Sequence, residues 1–231
     1  MIPNILTKMN NIMNTDSLII FQKNLIRFYL LEGRIYPWRI DRNPFKVYIS
    51  EILLQRTRAD QVVPVYQQLI EKFPDTISLF ADFNRAIPIM YPLGRSIRLD
   101  YFQKGLRYIN EYYNGQIPFE RKDLLSVPGI GPYIESAIRL FGYNIRDTII
   151  DTNVIRVVGR FNGIEIHPEI RRKKSFISIA RNSVPEEKYV EYSYGLLDFA
   201  EKICKSRNPD CNNCKLATEC LWNLQKRTNK I

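Results

Sequence analysis

The stretch that most restricts what this chain can fold into is Leu124–Asn153, which reads Leu-Leu-Ser-Val-Pro-Gly-Ile-Gly-Pro-Tyr at its start and Ile-Ile-Asp-Thr-Asn at its end. Val127-Pro128-Gly129-Ile130-Gly131-Pro132 lies between two short apolar-periodic segments; Gly129 and Gly131 are able to take positive φ, and Pro132 suits the first position of a helix. This is a helix-hairpin-helix signature. Beyond the turn, Ile134, Ala137, Ile138 and Phe141 recur at i, i+3, i+4 and i+7, so one face of the second helix is expected to be buried, with Gly129 to Gly131 at its N-terminus. Small residues there leave backbone N–H groups pointing outward, which suits an anion such as a phosphate; a plain Gly-Pro turn between core helices explains the same residues. A dinucleotide-binding reading fits poorly, because no buried strand precedes the turn and Ile134 stands where a third glycine belongs.

Eighteen residues after Tyr133, Asp151 interrupts an apolar run just ahead of Val154, Val157, Val158 and Phe161, again at helical spacing. Asp151 reads either as the N-cap of that helix or as a carboxylate held near the hairpin. A second acidic residue, Glu51, stands in a helical run from Phe45 to about Thr57, among Tyr48, Ile49, Ile52, Leu53 and Leu54, with no Lys or Arg at i+4. Partial desolvation would let it hold a proton near neutral pH; a solvated helical glutamate is the ordinary alternative. Gln55 and Arg56 close the run with polar groups that can enter a base stack or a minor groove, or simply face water.

The 34 Lys and Arg outnumber the 24 Asp and Glu, for a net charge of +10, which favours a polyanionic partner and, among these, a nucleic acid. No stretch approaches the roughly 20 uncharged apolar residues of a membrane span, and no secretory leader is evident, so a soluble, cytoplasmic protein with no membrane partner is expected. In a reducing compartment Cys204, Cys211, Cys214 and Cys220, spaced C-x6-C-x2-C-x5-C, are not expected as disulfides. Four thiolates on one Asn- and Asp-rich loop can converge on zinc or on an iron–sulfur cluster, although zinc sites usually show two close pairs and here there is one. Lys205 and Arg207 beside the first cysteine can meet phosphate. Arg171-Arg172-Lys173-Lys174 reads as a solvated face, and His167, the one histidine, receives no function. With no β-alternation longer than a few residues, the chain is expected to be all-α.

Hairpin, aspartate and cysteine spacing together resemble the endonuclease III and MutY superfamily of DNA glycosylases, over about Tyr36 to Cys220. Residues 1–15, polar and rich in asparagine, are expected as a flexible leader. The resemblance implies a two-domain helix-hairpin-helix fold with DNA and the target base between the domains: a six-helix barrel at 45–145, and a cluster domain at 16–44 plus 146–231. It implies that the four cysteines hold a [4Fe–4S] cluster, that Asp151 is the catalytic aspartate, and that Gly129 and Gly131 bind the DNA backbone. Tyr133 stands where endonuclease III carries its Schiff-base lysine, so no lyase step is expected. Tyr133, Glu51 and the supporting Asn153 look like either MutY or the thymine/uracil mismatch glycosylase. Arg56 in place of MutY's second glutamine, Thr152 in place of its glycine, and a sequence running only eleven residues past Cys220 favour the second. A monomer acting on double-stranded DNA with a mismatched or damaged base is expected.

Overall fold

The computed structural model describes residues 13–94 and 96–228, the side chains of residues 96–98 and 227 excepted. Residues 1–12 of the expected leader lie outside the described residues. Among the described residues there is no strand; the chain is all-α and divides into two compact units, Met1–Arg34 with Thr148–Ile231, and Ile35–Asp147. No helix among these residues is long and apolar enough to cross a membrane.

The terminal unit opens with α1 (Thr15–Glu32), capped by Asn14, whose side chain accepts the Ser17 N–H at 2.8 Å. The middle unit holds α2 (Pro37–Ile40), α3 (Pro44–Leu53), α4 (Ala59–Lys72), α5 (Thr76–Ala81), α6 (Phe83–Met90), α7 (Ser96–Tyr113), α8 (Arg121–Ser126) and α9 (Pro132–Ala137). A π-helical turn at Ile138–Gly142 continues α9. The terminal unit then resumes with α10 (Thr152–Phe161), a 3-10 turn at Pro168–Arg172, α11 (Lys174–Asn182), α12 (Tyr189–Lys202) and α13 (Leu221–Thr228).

The connector at 35–44, grouped with the terminal segments on sequence, lies in the middle unit. Pro37 starts the single turn of α2, and Trp38, 5% exposed, packs edge-on against Tyr66 of α4 at 5.3 Å. Helix α6 carries Pro88 inside it, a residue that reads on sequence as a break; burial of Phe83, Ala86 and Met90 holds the helix despite the lost backbone donor. The aromatic centre of the middle unit is Phe102, met edge-on by Tyr48 at 5.6 Å and Phe83 at 5.7 Å. A charged network ties α8 to α9 and to the segment that follows it. Glu135, fully buried, and Asp147 share Arg121, with nitrogen–oxygen distances of 2.5 Å to each, and Arg139 adds a contact to Asp147 at 3.0 Å. Burial pushes the Glu135 carboxyl above its ordinary range, against the pull of Arg121.

In the terminal unit the Asp151-led helix lies against α1 and α12. Phe21 and Leu25 of α1 are fully buried, Phe21 sits 4.5 Å from Phe161, and Phe28 meets Phe199 edge-on at 5.4 Å. Gly195 lets α1 approach α12 so closely that a β-carbon there would overlap the Leu25 carbonyl oxygen. Gly195→Ala is therefore expected to destabilise the chain by about 1–3 kcal/mol, read as a lower urea midpoint at unchanged slope, because backbone cannot step aside as a side chain can.

Candidate functional site

The candidate residues fall into two groups, one in each unit. In the middle unit the turn between α8 and α9 carries the hairpin glycines. Gly129 has φ +86, a conformation that a side chain resists. Gly131 does not share it: with φ −97 and ψ 177 it is an extended N-cap, and a β-carbon there would meet nothing within 4 Å. Thus only Gly129 uses glycine's freedom, and Gly131 keeps the approach to the start of α9 open. Pro132 is the first residue of α9 and Tyr133, half-buried, the second. All four apolar positions of the expected stripe are buried, at 5% exposure or less.

Glu51 lies on α3 and is 9% exposed, so the desolvated environment suggested by its apolar neighbours is present. Helix α3 ends at Leu53, earlier than the sequence pattern suggests, and Gln55 and Arg56 sit in the turn that follows. Arg56 is exposed and has φ 58. A left-handed arginine costs roughly 1–2 kcal/mol, and such strain collects at functional turns.

In the terminal unit Asp151 is the N-cap of α10, with Oδ1 accepting the Val154 N–H at 2.7 Å. Oδ2 accepts from the Asn153 side-chain amide, also at 2.7 Å. Cap and candidate catalytic carboxylate are thus one group, and the cap fixes its rotamer. Burial raises the Asp151 pKa; the Val154 N–H, the Asn153 amide and the Arg156 charge pull it back.

Arg156 extends this arrangement. Its Nη2 donates to Asn153 Oδ1 at 2.9 Å and to the Ala200 carbonyl at 2.9 Å, and its Nε donates to the Cys204 carbonyl at 2.7 Å. One turn on, Arg160 donates to the carbonyls of Lys205 at 2.7 Å and Ser206 at 3.0 Å, contacts Cys204 Sγ at 3.5 Å, and stacks 4.6 Å from the Trp222 ring. The Cys220 thiol faces the Arg160 carbonyl at 3.4 Å. Two arginines of one helix therefore hold the loop of the first cysteine, and one of them continues through Asn153 to Asp151.

Cys204, Cys211, Cys214 and Cys220 are all half-buried free thiols on one loop. Burial, with repulsion from the other cysteines, pushes Cys214 and Cys220 up to about 11. Among the described residues no three His, Cys, Asp or Glu side chains converge as ligands of a metal ion. The donor set, four sulfurs and nothing else, fits a soft centre such as an iron–sulfur cluster. Lys205 and Arg207 are exposed on the same loop.

No family model matches the chain. It is 32% identical over 215 residues to the thymine/uracil-DNA glycosylase of Pyrobaculum aerophilum, covering 90% of this chain and 93% of the relative. The chain belongs to the helix-hairpin-helix DNA glycosylases. A thymine-DNA glycosylase from Aeropyrum pernix is 30% identical over 87% of this chain and 93% of its own length. The adenine DNA glycosylase of Buchnera aphidicola subsp. Baizongia pistaciae is 31% identical over 92% of this chain, which spans 61% of that protein. A thermostable thymine-DNA glycosylase structure superposes with a TM-score of 0.85 at 26% identity, covering 91% of this chain and 98% of that one.

Arg156 and Arg160 are the residues of this glycosylase that sequence reasoning passes over. A signal for them exists: two arginines at i and i+4 on a helix otherwise lined by Val154, Val157, Val158 and Phe161, beginning at the candidate aspartate.

Proposed function

We propose that this glycosylase is monofunctional and, in base excision repair, hydrolyses the N-glycosidic bond of a mismatched thymine or uracil opposite guanine. The observation that carries the reading is Asp151: a half-buried carboxylate locked at a helix N-cap, with Asn153 on its second oxygen. The names of the Pyrobaculum and Aeropyrum relatives, each matched over nearly its whole length, support the substrate. A second reading, an adenine glycosylase acting opposite guanine or 8-oxoguanine, draws on the Buchnera relative and on the Tyr133, Glu51 and Asn153 pattern.

In the proposed reaction the weakly paired base is extruded toward Glu51 and Tyr133, and Arg56, with Gln55, fills the gap it leaves. The bond from C1′ to the base nitrogen breaks, its electron pair leaving with the base. Glu51 protonates or hydrogen-bonds the departing base. Asp151 stabilises the positive charge on the sugar, as an ion-pair partner or as a transient nucleophile that water then displaces, and water oxygen adds at C1′ while the proton it releases passes to solvent. The hairpin at Gly129 and Gly131, with Lys205 and Arg207, holds backbone phosphates. Cys204, Cys211, Cys214 and Cys220 would hold a [4Fe–4S] cluster, and bound there it would supply structural order to the loop that presents Lys205 and Arg207; hydrolysis requires no electron transfer.

Tyr133 supplies no amine, so the product is an intact strand with an abasic site. End-labelled T/G and U/G duplexes are expected to break only after alkali. Breakage without alkali, together with covalent trapping by borohydride, would refute the monofunctional assignment.

The acid limb of the single-turnover rate is expected above the ordinary aspartate range, because Asp151 must be ionised and burial raises its pKa. Asn153→Ala removes a hydrogen bond that favours the ionised form, so its limb should move to still higher pH, with about a 10–100-fold loss at neutral pH. An unmoved limb would show that Asn153 does not act on Asp151.

A further inference from the structure

The chain's four-residue run of consecutive cations lies outside the machinery above. Arg171, Arg172, Lys173 and Lys174 cross from the 3-10 turn at Pro168–Arg172 into the first residue of α11, and all four are exposed. Arg172 pairs with Glu169 at 3.4 Å; Arg171, Lys173 and Lys174 form no ion pair among the described residues. Their backbone is nonetheless pinned. Ile170 and Phe176, 4% and 2% exposed, anchor either side, and the Lys173 N–H donates to the Ile170 carbonyl at 3.0 Å.

Local energetics argue against this placement. Lys173 occupies the N-cap of α11 without capping it, and Lys174 is the first helical residue, where the positive end of the helix repels cations and an Asp, Ser or Asn would be preferred. A sequence that breaks a local rule without local compensation marks a position under another demand. The surrounding chemistry narrows that demand. None of the exposed large apolar side chains lies between residues 167 and 188, whereas protein interfaces need an apolar centre and are poor in lysine. Arg181, exposed on α11 at i+7 from Lys174, continues the charge along one face.

We propose that Arg171, Arg172, Lys173 and Lys174 form a second contact for the phosphate backbone of duplex DNA, independent of the hairpin and of the lesion. The proposal rests on the reading that the chain acts on DNA. It requires no base release, so the two can fail separately.

The test is equilibrium binding of the full chain to an undamaged, fluorescein-labelled duplex, followed by anisotropy at several salt concentrations. Each lost phosphate contact should flatten the slope of log affinity against log salt by about 0.9. The variant R171Q/R172Q/K173Q/K174Q is expected to flatten it by roughly 2 to 3.5, while single-turnover base release at saturating enzyme stays unchanged. A reference variant, K23Q/R27Q/K188Q, removes three cations elsewhere on the surface and should flatten the slope by less than about 1. A parental slope in the first variant, equal flattening per charge in both, or no measurable duplex binding by the parent would each overturn the proposal. Thermal unfolding confirms that both variants fold.

Discussion

Asp151→Asn is expected to lower single-turnover base release by roughly 10³-fold or more, while affinity for the duplex stays within about threefold. The replacement is isosteric, and its oxygen can still accept the Val154 N–H, so the cap of α10 survives. What disappears is the negative charge that meets a cationic sugar, together with one acceptor. The new amide would face the Asn153 amide, donor against donor, at the position where Oδ2 now accepts at 2.7 Å. Asn153 can relieve this by turning over, but its carbonyl oxygen would then leave Arg156. Stability should fall by only about 1 kcal/mol, since one exchanged hydrogen bond is at stake. Retained base release in this variant would remove Asp151 from the mechanism.

Arg156→Ala should be the most damaging change that touches neither a cysteine nor a proposed reacting group. It strips a donor from four acceptors at once, Asn153 Oδ1 and the carbonyls of Thr152, Ala200 and Cys204. Buried acceptors left without partners cost about 1–3 kcal/mol each, with incomplete additivity, so a loss near 3 kcal/mol in urea unfolding is expected. Base release should fall by about 10²-fold as the Asn153–Asp151 pair loses its fixed geometry. The pH profile separates this from simple destabilisation: Arg156 charge favours ionised Asp151, so the acid limb moves upward in Arg156→Ala and less in Arg156→Lys, which keeps the charge. A purely structural arginine would lower stability and leave the limb in place.

The helical character of the chain was legible because its apolar stripes are regular: Val154, Val157, Val158 and Phe161 announce α10, and each is at most 3% exposed. Where the pattern misled, packing or chain chemistry had overridden it. Helix α6 accommodates Pro88 because its buried residues compensate, and α3 stops at Leu53, ahead of the turn in which Arg56 takes φ 58. Helix α13 carries only Leu221, Trp222 and Leu224 as apolar residues, too few for a regular stripe; Asn223, 6% exposed, is held there by a bond to the Ala217 carbonyl at 2.9 Å.

The candidate site divides in the same way. Residue types that stand out alone, an aspartate in an apolar run or cysteines in a cluster, are visible in one dimension. The Arg156 link is not, since two of its acceptors lie 44 and 48 residues away and three of the four are backbone carbonyls that carry no sequence signature. Asp151 likewise shows why one residue resists a choice between structural and chemical readings: the N-cap bond that makes it look ordinary also holds the carboxylate still.

The most direct test of the substrate assignment is a competition under single-turnover conditions. Two duplexes, T/G and A/8-oxoguanine, carry different end labels, share one tube with excess protein, and are cleaved by alkali at each time point. Thymine is expected to be lost faster, with the adenine strand largely intact over the same interval. Faster release of adenine would contradict it and assign the chain to the adenine glycosylases.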